Sequence, residues 1–137
     1  DGRQVGTVLL REDRDGVTMR VNVSGLPAGT HGLHIHAVGR CDPPGFTTAG
    51  PHWNPLGRQH GTENPQGAHA GDLPNVLISP SGLGSVEARF DGWRIREGER
   101  ALIDADGAAV VLHAKADDYR TDPSGNSGDR IACAVLG

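Results

Sequence analysis

The 137-residue chain is poor in aromatic side chains: two Trp, two Phe and one Tyr make up 4% of it, so any core must be aliphatic. Cationic charge is also limited, with 13 Lys and Arg against 17 Asp and Glu and a formal net charge of −4. A nucleic-acid partner calls for a basic patch. None is gathered here, so no nucleic acid is expected as a partner. No apolar run approaches the roughly 18 residues of a membrane span, so no span is expected either. No signal-peptide pattern is visible, but the chain starts abruptly at Asp1, so this says little about a leader. Cysteine is limited to Cys41 and Cys133. They are either two buried free thiols or one disulfide closing a long loop. In chain-entropy terms such a closure stabilises by roughly 4–5 kcal/mol at most. If oxidised, it points to an extracytoplasmic compartment.

Glycine and proline, by contrast, are plentiful, at 21 and 9 residues. Turns are frequent and long helices are not expected. Residues 17–24 alternate, with Val17, Met19, Val21 and Val23 on one face and Thr18, Arg20, Asn22 and Ser24 on the other. That is the pattern of a half-buried strand. Asp15-Gly16 before it is a hairpin turn signal that pairs it with a strand near 3–11. Leu33, Ile35 and Ala37 alternate with His34 and His36 to give another. Shorter candidates lie at 75–79, 84–90, 100–104, 108–114 and 130–136. No repeat, charge block or low-complexity tail divides the chain, so residues 1–137 read as one domain. Short strands with turn-rich connections predict an antiparallel sandwich or barrel. Two stretches, about 38–72 and 115–129, are rich in Gly, Pro, Asn and Asp and resist assignment. Loops that long inside a small domain are functional or disordered. The first holds three of the seven histidines, which favours function.

Those histidines are the most informative feature of the sequence. His31, His34, His36, His52, His60 and His69 follow one another and lead to Asp72, while His113 stands apart. Imidazole suits zinc, copper, iron and nickel. In a strand, the two-residue spacing of His34 and His36 puts both rings on one face. A lone His-x-His is weak evidence, because two half-exposed strand histidines are the commoner explanation. The company of His52, His60, His69, His113 and Asp72 changes that balance.

The segment Gly32-Leu33-His34-Ile35-His36 resembles the signature of the copper/zinc superoxide dismutase family. Ala49-Gly50-Pro51-His52-Trp53-Asn54-Pro55-Leu56 and His60-Gly61 are similar to its metal loop, and His69-Ala70-Gly71-Asp72-Leu73 to the end of that loop. Val111-Leu112-His113-Ala114-Lys115-Ala116-Asp117-Asp118 and Gly128-Asp129-Arg130-Ile131-Ala132-Cys133 match two further blocks. The resemblance runs from about residue 31 to 136. It implies an all-β fold, an eight-stranded antiparallel Greek-key β-barrel of the immunoglobulin-like sandwich type, with two long functional loops.

Carried over position by position, the resemblance implies one copper ion on His34, His36, His52 and His113, and one zinc ion on His52, His60, His69 and Asp72. His52 would be shared as a bridging imidazolate and would act catalytically with Arg130, which would attract and orient a small anion. Asp117 would hydrogen-bond one histidine of each metal, and His31 would pack near the copper strand without touching the ion. Cys41 and Cys133 would form the family's intrasubunit disulfide. The implied activity is disproportionation of superoxide to oxygen and hydrogen peroxide by alternating Cu(II) and Cu(I). The alternative is a non-catalytic relative for copper delivery or storage.

Some features depart from the well-known eukaryotic members. The 115–129 loop is shorter and lacks their Glu/Lys pattern, leaving Lys115 and Arg120 as candidates to steer an anion. The short spacing from His36 to Cys41 is more like secreted bacterial members, and that likeness implies a place outside the cytoplasm, in the periplasm or secreted. A homodimer through an interface unlike the eukaryotic one, and a monomer, both stay open. Trp53 stands where Phe or Tyr is common and is expected to be a packing variant.

Overall fold

The computed structural model describes residues 4–136. The expected limits at residues 1 and 137, and the start of the first strand at residue 3, lie outside the described residues. Eight strands are present among the described residues: β1 (Gly6–Glu12), β2 (Gly16–Val23), β3 (Gly29–His31), β4 (Leu33–His36), β5 (Val76–Ile78), β6 (Gly84–Asp91), β7 (Ala108–His113) and β8 (Arg130–Leu136). One turn of 3-10 helix spans Thr47–Ala49. No helix among the described residues is long and apolar enough to cross a membrane.

The β1–β2 hairpin forms where the turn signal predicts. Asp13 Oδ1 accepts the N–H groups of Asp15 (2.8 Å) and Gly16 (3.1 Å), so a side chain closes the turn. Pairing then runs in register from Glu12↔Val17 to Gly6↔Val23. The alternation in β2 sends Val17, Met19 and Val21 into the core and Arg20 and Asn22 to solvent. Its other edge pairs β6, giving the order β1-β2-β6.

The second three-stranded sheet is ordered β4-β7-β8, and β3 pairs β5 separately. All ladders are antiparallel, and neighbours such as β2/β6 and β4/β7 are far apart in sequence, as in a Greek key. The sheets do not close into the expected barrel: β1 and β8 are not paired, and each is the free edge of its sheet. The architecture is an open sandwich. The expected strand at 100–104 is also absent. Leu102 is fully buried, and residues 100–103 make only a brief contact with 94–95, through Arg94 N–H to Arg100, Leu102 N–H to Arg94 and Ile103 N–H to Ile95. Its apolar pattern reports burial of an irregular loop, without the sustained ladder a strand needs.

The core fills the space between the sheets. Leu33 and Ile35 of β4 and Ala108, Val110 and Leu112 of β7 meet Val17, Met19 and Val21 of β2. Every residue of β4 and β7 is buried, although a two-layer sandwich buries only one face of each. The second face is covered by the long loops. Ala109 and Val111 of β7 pack there with Ala49 and with Cys41 and Cys133, which form a disulfide. Trp53, a residue of the 38–72 loop, joins the main core instead, 3% exposed and with its ring edge-on to Trp93 at 4.8 Å.

Leu33 is 1% exposed and Leu9 is 60% exposed, so truncating each to Ala separates core from surface. Leu33→Ala should lower the unfolding free energy by about 2–5 kcal/mol. Leu9→Ala should change it by less than about 0.5 kcal/mol. Urea unfolding of the oxidised, metal-free protein checks both.

Candidate metal centre

The site is built on β4. One edge of this strand pairs β7, with His34 opposite Val111 and His36 opposite Ala109. The other edge is taken up by the 38–72 loop. Ile35 donates to Gly71 O (2.8 Å) and accepts from Trp53 (2.7 Å), Ala37 donates to Pro51 O (2.8 Å), and Gly71 donates to Trp53 O (3.0 Å). Bridges His36↔His52 and His34↔Asp72 result. The loop can come this close because residue 71 is glycine: a Cβ there would lie 2.5 Å from Ile35 O. His113 arrives on β7, whose pairing with β8 is irregular between Leu112 and His113.

Ligand atoms of His34, His36, His52 and His113 lie within 4.8 Å of one another, and all four residues are buried. A second group within the same span takes His34, His52, His60 and Asp72. His34 is common to both groups: its Nε2 donates to Asp117 Oδ2 at 2.7 Å, which leaves Nδ1 turned to the cluster. His69 borders the second group, with its Nδ1 3.3 Å from Asp72 Oδ1 and 3.3 Å from His52 Nδ1. Asp72 Oδ1 is also 3.0 Å from His52 Nδ1 and 2.9 Å from His60 Nδ1. Three ring nitrogens thus converge on one carboxylate oxygen. Asp72 Oδ2 is held by the N–H groups of Gly61 and His69, each at 2.9 Å.

Among the described residues, five buried ring nitrogens have no hydrogen-bond partner: His34 Nδ1, His36 Nε2, His52 Nε2, His113 Nε2 and His60 Nδ1. Leaving one such group unsatisfied costs about 1–3 kcal/mol. His60 Nδ1 belongs to this set although Asp72 is near, because the contact lacks hydrogen-bond geometry. That is how two ligands of one ion stand to each other, rather than a donor and an acceptor. The opposite nitrogens are held. His36 Nδ1 donates to Gly50 O (2.7 Å), His113 Nδ1 to Gly128 O (3.1 Å) and His60 Nε2 to Asp117 Oδ1 (2.8 Å). Asp117 therefore spans His34 and His60 with its two oxygens. His31 belongs to neither group: its Nδ1 is bonded to the main-chain oxygen of His113 at 2.8 Å, and its Nε2 faces Pro27 O at 2.9 Å.

Electrostatics divide the site into two halves. Burial pushes His36 down to about 2, and His52 and His113 each down to about 4, so all three are neutral near pH 7. Burial also opposes charge on His60, but the hydrogen bond to Asp117 and the Asp72 carboxylate beside Nδ1 outweigh it and raise His60 to about 9. For Asp72 and Asp117 burial favours the neutral acid. At Asp72 the hydrogen bond from His52 and the close His60 ring, and at Asp117 the hydrogen bonds from His34 and His60, overcome it and hold both below the usual carboxylate range. Arg130 donates Nη1 to Phe46 O at 2.9 Å, and burial lowers its own pKa. Its charge is felt at His36 and His113, where it opposes protonation. Arg120 is not free to steer an anion, because Glu63 takes its guanidinium in an exposed ion pair at 2.8 Å.

Three supporting residues escape a reading of the sequence. Asn75 grips the main chain of Asp117 from both sides, donating to its carbonyl (3.0 Å) and accepting from its N–H (2.9 Å). Tyr119 Oη accepts the Asn75 N–H (3.0 Å), and Asp122 Oδ1 accepts the His60 N–H (2.7 Å). None of them stands at a spacing that marks it beforehand.

Comparison with known proteins agrees with this geometry. Residues 4–136 match the family model for copper/zinc superoxide dismutase (SODC). Superoxide dismutase [Cu-Zn] 2 of Aquifex aeolicus (strain VF5) is 41% identical over 138 residues, covering 99% of this chain and 81% of that protein. Superoxide dismutase-like protein YojM of Bacillus subtilis (strain 168) is 40% identical, with 99% and 71% covered. The crystal structure of a SOD-like protein from Bacillus subtilis superposes with a TM-score of 0.92 at 38% identity, covering 100% of this chain and 93% of that one. Sequence, fold and the paired histidine clusters lead to one conclusion: the chain belongs to the copper/zinc superoxide dismutase family.

Proposed function

We propose that the protein is a working superoxide dismutase, with one copper on His34, His36, His52 and His113 and one zinc on His52, His60, His69 and Asp72. The observation that carries this reading is the set of buried ring nitrogens that lack partners. Four imidazoles suit copper, and three imidazoles with a carboxylate suit a closed tetrahedral zinc site. His52 has one nitrogen in each group, which supports its role as a shared ligand. Copper held there would supply the one-electron chemistry that turns two superoxide anions and two protons into oxygen and hydrogen peroxide.

The remaining work falls to the chain. Asp72 and the neighbouring His69 face Nδ1 of His52, leaving Nε2 as the ring atom able to hold and pass on a proton. Asp117 fixes the tautomers of His34 and His60 at once. Arg130 supplies a fixed positive charge beside His36 and His113, and its bond to Phe46 O restrains its direction. That local charge must outweigh the net −4 to draw in an anion. We read residues 1–137 as one domain. The disulfide favours a place outside the cytoplasm, periplasmic or secreted.

A second reading, a non-catalytic copper carrier, draws support from the likeness to proteins named only as dismutase-like. Superoxide decay by pulse radiolysis separates the two. Protein loaded with one copper and one zinc should give a second-order constant near the diffusional ceiling, about 10⁸–10⁹ M⁻¹s⁻¹. Arg130→Ala should lower it about tenfold or more and flatten its dependence on ionic strength. Decay no faster than with metal-free protein, while copper is demonstrably bound, would sink the enzyme reading.

The charge states also set an acid limit. Below the ordinary histidine value of 6.5 the unfolded chain takes up protons at His36, His52 and His113, while the folded chain resists until about 4 or lower. The folded state binds fewer protons across that window, so stability falls as pH falls. His60 works in the other direction: its contribution is complete below 6.5 and is lost as pH rises through about 9. In metal-free protein the urea midpoint should therefore drop between about pH 6.5 and pH 4. A midpoint that stays level across that range would mean these rings are not held neutral.

A further inference from the structure

A histidine that offers one nitrogen to a metal is oriented by whatever holds the other. In this centre the outer nitrogens of His34 and His60 are on Asp117, that of His36 is on Gly50 O, and that of His113 is on Gly128 O. His69 is the exception among the non-bridging rings. Its Nδ1 faces the Asp72 carboxylate, and its outer Nε2 faces Asp122 Oδ1 at 3.8 Å. That same Oδ1 accepts the main-chain N–H of His60 at 2.7 Å. One oxygen atom thus stands against two of the residues read above as zinc ligands, approaching both from outside.

From this geometry we infer that Asp122 is a positioning residue for the zinc half of the centre, fixing the ring of His69 and the main chain of His60 together. The inference rests on the zinc reading given above. A gap of 3.8 Å is too wide for a direct hydrogen bond. It is close enough for the carboxylate to favour the proton on Nε2, which leaves the Nδ1 lone pair facing Asp72 and the ion. The Asp122 side chain is 49% exposed, so solvent screens this attraction and the effect is modest. The 115–129 loop then serves the zinc half with two carboxylates. Asp117 acts on His60 from within, and Asp122 acts on His69 from the rim. Gly125 lets the loop fold this tightly: its φ is +69° and a Cβ there would lie 1.9 Å from Asp117 Oδ1.

The test compares zinc release to a chromogenic chelator from copper- and zinc-loaded wild-type protein and from Asp122→Asn, Asp122→Ala and Glu63→Gln. Asp122→Asn keeps an acceptor for the His60 N–H but removes the charge, and should release zinc about threefold faster. Asp122→Ala removes both and should be faster still. Glu63→Gln breaks the exposed pair with Arg120 of the same loop and should leave the rate unchanged. In zinc-loaded, copper-free protein the His69 Nε2–H proton, followed by NMR, should shift and exchange faster with water in Asp122→Asn. A general loosening of the loop would not single out that proton. Wild-type release rates with an unmoved His69 signal would overturn the inference, as would acceleration in Glu63→Gln equal to that in Asp122→Asn. Wild-type protein that takes up no zinc at all would overturn the zinc reading, and this inference with it.

Discussion

The contact on which the rest depends is the docking of loop backbone against the free edge of β4. A strand with Leu33 and Ile35 inward must point His34 and His36 outward. On an ordinary sandwich those rings would face water. Here Pro51, Trp53 and Gly71 hydrogen-bond along the edge, carrying His52 and Asp72 to either side of the exposed face. The loop thereby becomes a wall, and the outer face of β4 becomes an interior. The disulfide acts at the same place, tying the loop to β8 where Cys133 lies opposite Val111. Arg130, on the same strand, holds the same loop through Phe46 O.

Enclosure has an electrostatic cost that the site distributes unevenly. Around His36, His52 and His113 burial dominates and the rings are neutral. Around His60 two carboxylates dominate and raise the ring to about 9. A neutral imidazole can give its lone pair to a metal directly, whereas a charged one must first release its proton. The two halves thus face the same solvent pH in different states of readiness, although they share His52.

Much of this was legible in the sequence, for identifiable reasons. The alternation in 17–24 reports a half-buried strand because its outer face stays in water. The expected pairing of Cys41 with Cys133 is found. Other features were hidden because sequence patterns report burial and not pairing. Leu102 and Ile103 read as a strand although they line an irregular loop. β3, at three residues, is too short for any period to show. Barrel closure depends on whether β1 and β8 meet, which no local pattern encodes. Asn75, Tyr119 and Asp122 act through main-chain contacts and across long sequence separations, so their roles are visible only once the 115–129 loop is folded onto the 38–72 loop.

The position of His113 on β7 has a consequence for the order in which the site comes into being. His52, His60, His69 and Asp72 belong to one continuous stretch, whereas His34 and His36 face His113 only after β7 has paired with β4. Chains emerge from synthesis N-terminus first. The residues of one half are therefore all present while the last of the other half is still unmade. A nascent chain would offer three imidazoles and a carboxylate to the surrounding pool of ions well before it could offer the four-imidazole set. With the ligand sets proposed above, timing would join the chemistry of the donors in deciding which ion each half receives.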